Sequence, residues 1–177
     1  EKLDSPAVAT NRVDITSVRR VFVYLPPGYA DTTRSYPTLY WSPGWQTPAS
    51  REYIPYLNAA ISSGRIPPTI VGHLDVSEGV IMMNSDVFGA WEDFLTQELV
   101  PFIDTEYRTI PTPRGRAIMG HSSGGYGAIM AATLHPGIWG AVGLNDPAAW
   151  AACERDVAAY PAEFGDYPYL RNNAKAL

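Results

Sequence analysis

Arg116-Ala117-Ile118-Met119-Gly120-His121-Ser122-Ser123-Gly124-Gly125 decides how the rest of this 177-residue chain is read. Residues 116–119 suit a short strand. Residues 126–134, with the small side chains Ala128, Ala131 and Ala132, suit a helix packed closely on a sheet. Between them lies Gly-x-Ser-x-Gly, the spacing of a serine on a sharp strand-to-helix turn. Such a turn strains the serine backbone, so the residues two places to either side must lack side chains that would collide. It also lifts the Ser122 hydroxyl to a helix N-terminus, where unpaired N–H groups and the helix dipole favour developing negative charge. The Ser123 N–H is then a candidate oxyanion donor. Five residues alone would pass for an ordinary glycine-rich turn. The strand directly before and the helix directly after make the elbow, formed by Gly120, His121 and Gly124 around Ser122, the better reading.

Working outward, strands alternate with helices. Residues 20–25 (Arg-Val-Phe-Val-Tyr-Leu) read as a strand stopped by Pro26-Pro27-Gly28, with residues 12–15 as its expected partner. Residues 38–41 form a near-continuous apolar run, as in a strand buried on both faces. Residues 51–63 carry Tyr53/Ile54, Leu57 and Ala60/Ile61 at helical spacing, with Gly64 as C-cap and Pro67-Pro68 beyond. A strand over 69–74, a loop over 78–89 and a helix over 91–104 follow. That helix has Trp91, Phe94/Leu95, Glu98/Leu99 and Phe102 as its stripe, and Pro101 bends its last turn. The stripe aromatics Trp91 and Phe94 read as core, not as a substrate platform. Residues 139–144 give a fifth strand. This alternation predicts a single α/β domain with a largely parallel sheet.

Composition narrows the function. Thirteen basic residues face eighteen acidic ones, for a formal charge of -5, and basic residues cluster only at Arg19-Arg20 and Arg114/Arg116, which argues against a nucleic-acid partner. The single cysteine, Cys153, excludes a disulfide framework or a cysteine-rich zinc site. No apolar run reaches the roughly 18 residues that a membrane span needs. The first residues, Glu1-Lys2-Leu3-Asp4, lack a signal-peptide pattern.

The second oxyanion donor is expected from the loop after residues 38–41, Ser42-Pro43-Gly44-Trp45-Gln46. There Gly44 lets the chain turn inward and leaves the Trp45 N–H as donor. With these pieces placed, the chain resembles the esterase D-like family of α/β-hydrolases, which includes S-formylglutathione hydrolases, feruloyl and acetylxylan esterases and the antigen 85 mycolyltransferases. The resemblance rests on Val23-Tyr24-Leu25-Pro26-Pro27-Gly28-Tyr29, Tyr36-Pro37-Thr38-Leu39-Tyr40, the Gly44 loop and Asn84-Ser85. It continues through Trp91-Glu92-Asp93-Phe94-Leu95, Glu98-Leu99-Val100-Pro101-Phe102-Ile103-Asp104, the serine stretch and His135-Pro136. It implies an α/β-hydrolase-like fold, Ser122 as nucleophile, Trp45 and Ser123 amides as oxyanion hole, and no cofactor or metal. Many members carry His-Gly where this chain has Pro43-Gly44, a change that leaves the amide role intact.

The resemblance also implies an acid and then a histidine after the serine. Only 55 residues follow Ser122, so the chain is expected to stop before both, as an incomplete and weakly active or inactive domain. Substitutes within it are few. His121 points away from the Ser122 hydroxyl, and His135 suits the C-terminus of its helix. His73 lies near the C-terminal end of a parallel strand with Asp75 to orient it, but across the nucleophile from the usual histidine loop, so a loop carbonyl is its expected partner. His73 and Asp75 alone do not make a metal site. Of Asp146, Glu154, Asp156, Glu163 and Asp166, Asp146 is placed best, as a pocket residue at the ligand edge of the sheet. Residues 160–169 read as an irregular surface segment before a short terminal helix. The expected partner is a small-molecule or carbohydrate-linked ester. A competing reading is a non-catalytic carbohydrate- or glycolipid-binding module built around Trp45, and another completes the site from a partner chain or from His73. The aromatic-rich, lysine-poor composition leans towards a secreted protein, and oligomeric state is not legible.

Overall fold

The computed structural model describes residues 1–148. Cys153, the acidic residues at 154, 156, 163 and 166, and the expected terminal segment lie outside the described residues. Six strands form one sheet in the order β1-β2-β4-β3-β7-β8: β1 (Lys2–Asp4), β2 (Val18–Tyr24), β4 (Ile70–Leu74), β3 (Thr38–Ser42), β7 (Arg116–Ser122) and β8 (Ala141–Pro147). β1 and β2 run antiparallel to their neighbours, while β4, β3, β7 and β8 are mutually parallel. A small hairpin, β5 (Asn84–Ser85) with β6 (Gly89–Ala90), stands apart. This is the mostly parallel α/β arrangement expected from the alternation of elements.

The apolar runs form the central strands, and every residue of β4 is buried. Helix α1 (Ile54–Ser62) half-buries the expected face at Ile54, Leu57, Ala60 and Ile61. Its C-terminus closes with Gly64 N–H on Ile61 O and Arg65 N–H on Ala60 O. Helix α4 (Ser123–Leu134) begins directly at the serine turn and buries Gly124, Gly125, Gly127, Ala128 and Ala131. Small side chains allow that close approach, as β7 and β8 both pack against it.

Two elements depart from expectation. Residues 12–15 are not a strand: Asn11 Oδ1 accepts from Val13 and Ile15 N–H, while its Nδ2 donates to Val8 O and Ile15 O. An asparagine that satisfies its own loop competes with pairing. β2 takes Lys2–Asp4 as partner instead. The helix over 91–106 is also not uniform. It runs as α2 (Trp91–Asp93), a π-helical stretch (Phe94–Leu99) and α3 (Val100–Glu106), with Val100 N–H bonded to Leu95 O. The wider turn precedes Pro101, whose ring would otherwise crowd the carbonyl four residues back and which has no N–H to give. The extra residue rotates the buried face, so Leu99, Val100 and Ile103 fill the core while Phe102 is only partly buried. Glu98 turns to the N-terminal segment, accepting from Ser5 Oγ and from Ala7 N–H at 2.9 Å. Trp91 and Phe94 are buried and meet edge-to-face at 5.7 Å, in the core as expected.

Candidate active site

Ser122 ends β7 with φ 52° and ψ -121°, and Ser123 opens α4. A non-glycine residue in that region costs on the order of 1–3 kcal/mol and persists only where its surroundings enforce it. The enforcement is visible at the two flanking glycines. A methyl group on Gly120 would lie 2.1 Å from Gly124 O, and one on Gly124 would lie 2.2 Å from Ser42 O and 2.3 Å from Pro43 O. These are backbone atoms, which no rotamer change can move. β7, the start of α4 and the end of β3 are thus in van der Waals contact through their main chains. On the far side β8 grips the same turn. Ala148 N–H donates to Ser122 O at 2.9 Å, and a bulge pairs Ser122 with Pro147 after His121 pairs with Asn145.

The loop after β3 closes on the serine from the other flank. A side chain on Gly44 would stand 3.5 Å from Ser122 Cβ and 3.4 Å from His121 Cδ2, so the loop backbone passes beside the nucleophile candidate. Thr47 N–H donates to Gly44 O at 3.2 Å, which makes residues 44–47 a tight turn. Gln46 within it has φ 53°. Gly44 thus stands beside Ser122 with Trp45 next in the turn, and the buried Ser123 follows the serine at the start of α4. A serine hydroxyl at a helix N-terminus, with a backbone turn beside it, can attack an electrophilic carbonyl and leave the resulting oxyanion among main-chain N–H groups.

The three histidines make other contacts. His121 Nδ1 is 3.1 Å from Asn145 O on β8, so its ring turns away from the serine. His135 Nε2 is 2.7 Å from Glu92 Oε1 and ties the end of α4 to α2. His73 belongs to β4, with β3 between it and β7. Its ring is 3% exposed and packs 5.0 Å from the Tyr53 ring just before α1. The expected carbonyl partner is absent among the described residues. Instead Ser50 N–H points at Nδ1 from 3.5 Å, which puts the ring proton on Nε2, buried with no described partner. Burial holds the His73 pKa below its ordinary value, with the Ser50 contact and the Asp75 charge opposing that shift. Asp75 does not orient the ring. Its carboxylate accepts from Ser77 N–H at 3.1 Å and faces Arg20 at 3.8 Å. The His73 and Asp75 pair is thus not brought to Ser122. Asp146 is exposed and is the extra residue of the β8 bulge, with φ 45°; it is near Ser122 along the sheet but conformationally a turn residue. Among the described residues no cluster of three His, Cys, Asp or Glu is able to hold a metal ion, and no helix is long and apolar enough to cross a membrane.

The sequence did not single out residues 75–83 as part of this neighbourhood. A methyl group on Gly79 would lie 2.8 Å from Trp45 Cζ2, and one on Gly127 in α4 would lie 3.2 Å from Met82 N. The segment thus spans from the Trp45 indole to the helix that follows the serine. Its apolar residues Val76, Val80, Ile81, Met82 and Met83, of which Val76, Val80 and Met82 are buried, were the available signal.

Known proteins share this fold. An esterase of Mycobacterium tuberculosis is 32% identical over 123 residues, covering 66% of this chain and 26% of its own length. A ferulic acid esterase structure superposes with a TM-score of 0.69 at 24% identity, over 80% of this chain and 55% of that one. The S-formylglutathione hydrolase of Agrobacterium tumefaciens does so at 0.65 and 17%, over 83% and 56%. The chain spans about a quarter of the first protein and about half of each solved structure. At these identities the solved structures establish the α/β-hydrolase fold. The family described as Putative esterase matches residues 14–162, most of the chain, and this protein belongs to that esterase family.

Proposed function

We propose that the chain carries the nucleophile half of a serine carboxylic-ester hydrolase that works through an acyl-enzyme on Ser122. The observation that carries this reading is the enforced backbone of Ser122, at φ 52° between two glycines in main-chain contact. Strain held this firmly, at a serine beside the Gly44 turn, is of the kind that collects at active sites. In the reaction Ser122 Oγ adds to the ester carbonyl, and the oxyanion is held by the Ser123 and Trp45 N–H groups. The alcohol then departs with the serine's proton, and water releases the acid. None of the three histidines in the 177 residues is placed to take that proton, so the base in this reading comes from outside them. The Putative esterase match and the fold shared with feruloyl esterases and S-formylglutathione hydrolases support an acyl ester substrate.

The test is covalent. A fluorophosphonate should label Ser122 once per chain, slowly, because the oxyanion site alone retains only part of the catalytic advantage. Peptide mapping locates the adduct, and Ser122→Ala is the blank. Folded protein that stays unlabelled after prolonged exposure would remove Ser122 from the chemistry and favour a binding role around Trp45.

A further inference from the structure

The turn after β4 carries the next inference, which rests on the proposed role of the Trp45 amide. Residues 76–79 form a tight turn closed by Gly79 N–H on Val76 O at 2.9 Å. It lies against the 44–47 turn through three contacts. Val76 N–H donates to Thr47 O at 3.2 Å, and Gly79 sits so close to the Trp45 indole that a methyl there would be 2.8 Å from Cζ2 and 3.1 Å from Cε2. The third contact is the Gln46 stem, 3.2 Å from the same point. Gly79 has φ +72°, which a side chain tolerates poorly, so the face offered to Trp45 is bare backbone.

What holds the 76–79 turn is a buried cation from β2, the strand that pairs with β4. Arg19 in β2 is 3% exposed, yet it is an arginine in a strand position that an apolar residue would fill at lower desolvation cost. Its Nη2 meets Glu78 Oε2 at 2.7 Å, its Nη1 donates to Thr16 O at 3.2 Å, and its guanidinium lies 4.7 Å over the Trp91 ring. Fifty-nine residues separate Arg19 from Glu78 in the sequence. The chain of contacts runs from Trp91 through Arg19, Glu78 and Gly79 to Trp45.

We propose that Arg19 and Glu78 are positioning residues for the oxyanion loop: their ion pair fixes the 76–79 turn, and that turn sets the Trp45 backbone amide through the Trp45 indole. An amide moved by a fraction of an ångström still binds a neutral ester but stabilises the tetrahedral oxyanion less.

The experiment combines Trp45 nuclear magnetic resonance with fluorophosphonate labelling on the full chain, using Glu78→Gln, Arg19→Met and Gly79→Ala. Trp45→Phe assigns the Trp45 indole signal. Arg19→Met keeps the volume without the charge, so it folds even where Glu78→Gln leaves an unpaired guanidinium. The Trp45 backbone-amide and indole cross-peaks should shift in all three variants, with Gly79→Ala shifting them most. Labelling should slow about five- to tenfold in Glu78→Gln and Arg19→Met through the maximal inactivation rate, with half-saturation unchanged. Trp45 signals and labelling rates matching the parent chain in both Arg19→Met and Glu78→Gln would overturn the proposal. So would slower labelling that comes entirely from weaker half-saturation. If the parent chain does not label at all, the nucleophile reading fails, and the Trp45 signals alone still decide whether the brace exists.

Discussion

β7 and β4 both deliver a polar, chemically capable side chain to the C-terminal end of a parallel strand, where α/β sheets collect ligands. They do opposite things with it. β7 breaks at Ser122 into a strained turn, so the hydroxyl stands partly exposed at the start of α4 with no hydrogen bond to another described residue. β4 runs straight through His73, whose ring is folded under the approach to α1 against Tyr53 and the Ser50 amide. Position at the sheet edge is therefore insufficient for presentation. The backbone at the strand end decides whether a side chain meets a substrate or becomes core.

The sharpest way to break the contrast is to remove what bends β7. Gly124→Ala places a methyl about 2 Å from two carbonyl oxygens of the β3 end, and no side chain can yield. Denaturant unfolding should show a loss of about 3 kcal/mol or more, with fluorophosphonate labelling abolished. A Gly124→Ala protein of parental stability and reactivity would mean that backbone contact does not enforce the turn.

Next in size is Ser122→Gly. It deletes the nucleophile and also relieves a φ of 52° that glycine adopts without strain. The expected result is no labelling together with a gain of about 1 kcal/mol in unfolding free energy, whereas Ser122→Ala loses labelling without the gain. Equal stability of the two variants would show that Ser122 stores no strain.

His73→Phe tests the other strand. Because burial lowers the His73 pKa in the folded state, the unfolded chain binds the extra proton first. Stability conferred by the neutral ring is then complete above the unfolded value, near pH 6.5, and is lost as pH falls from there through the folded value. The loss is at most about 1.4 kcal/mol per pH unit. His73→Phe should flatten the stability profile between about pH 7 and pH 5 and leave labelling at pH 8 unchanged. A large labelling defect at pH 8 would return His73 to the chemistry.

Much of this contrast was legible in the sequence, and the remainder has physical reasons. The apolar runs of β3, β4 and β7 needed no tertiary knowledge, and Gly-x-Ser-x-Gly with a strand before and a helix after located the bend. Four features were not legible. β1 is three residues whose pairing is fixed only by β2, while Asn11 captured the segment that looked like a strand. Pro101 signalled a disturbed helix, but whether the chain would bend or widen into a π turn depended on which face the core accepted. For His73 the strand position left burial or the sheet rim open and suggested a loop carbonyl as partner, whereas the approach to α1 covers the ring and offers it the Ser50 N–H. The Arg19 and Glu78 contact joins residues far apart in sequence, and no local pattern announces it.

The smallest expected effect bears on the bend itself, from the β8 side. Asp146 is the extra residue of the bulge that lets β8 follow β7 into its turn, and it sits at φ 45°. Aspartate tolerates that conformation better than most residues, and glycine better still. If Asp146 serves only this geometry, Asp146→Gly should raise stability by about 0.5 kcal/mol and leave labelling within twofold. If its carboxylate acts on the nucleophile instead, labelling should fall at least tenfold while stability still rises, because the charge would be lost and the bulge kept. Asp146→Asn separates the two further, since it removes the charge yet keeps a side chain suited to the left-handed region. The bulge reading requires Asn to behave like the parent chain, and a joint loss of labelling in Gly and Asn variants would make the β8 end part of the chemistry and not merely its support.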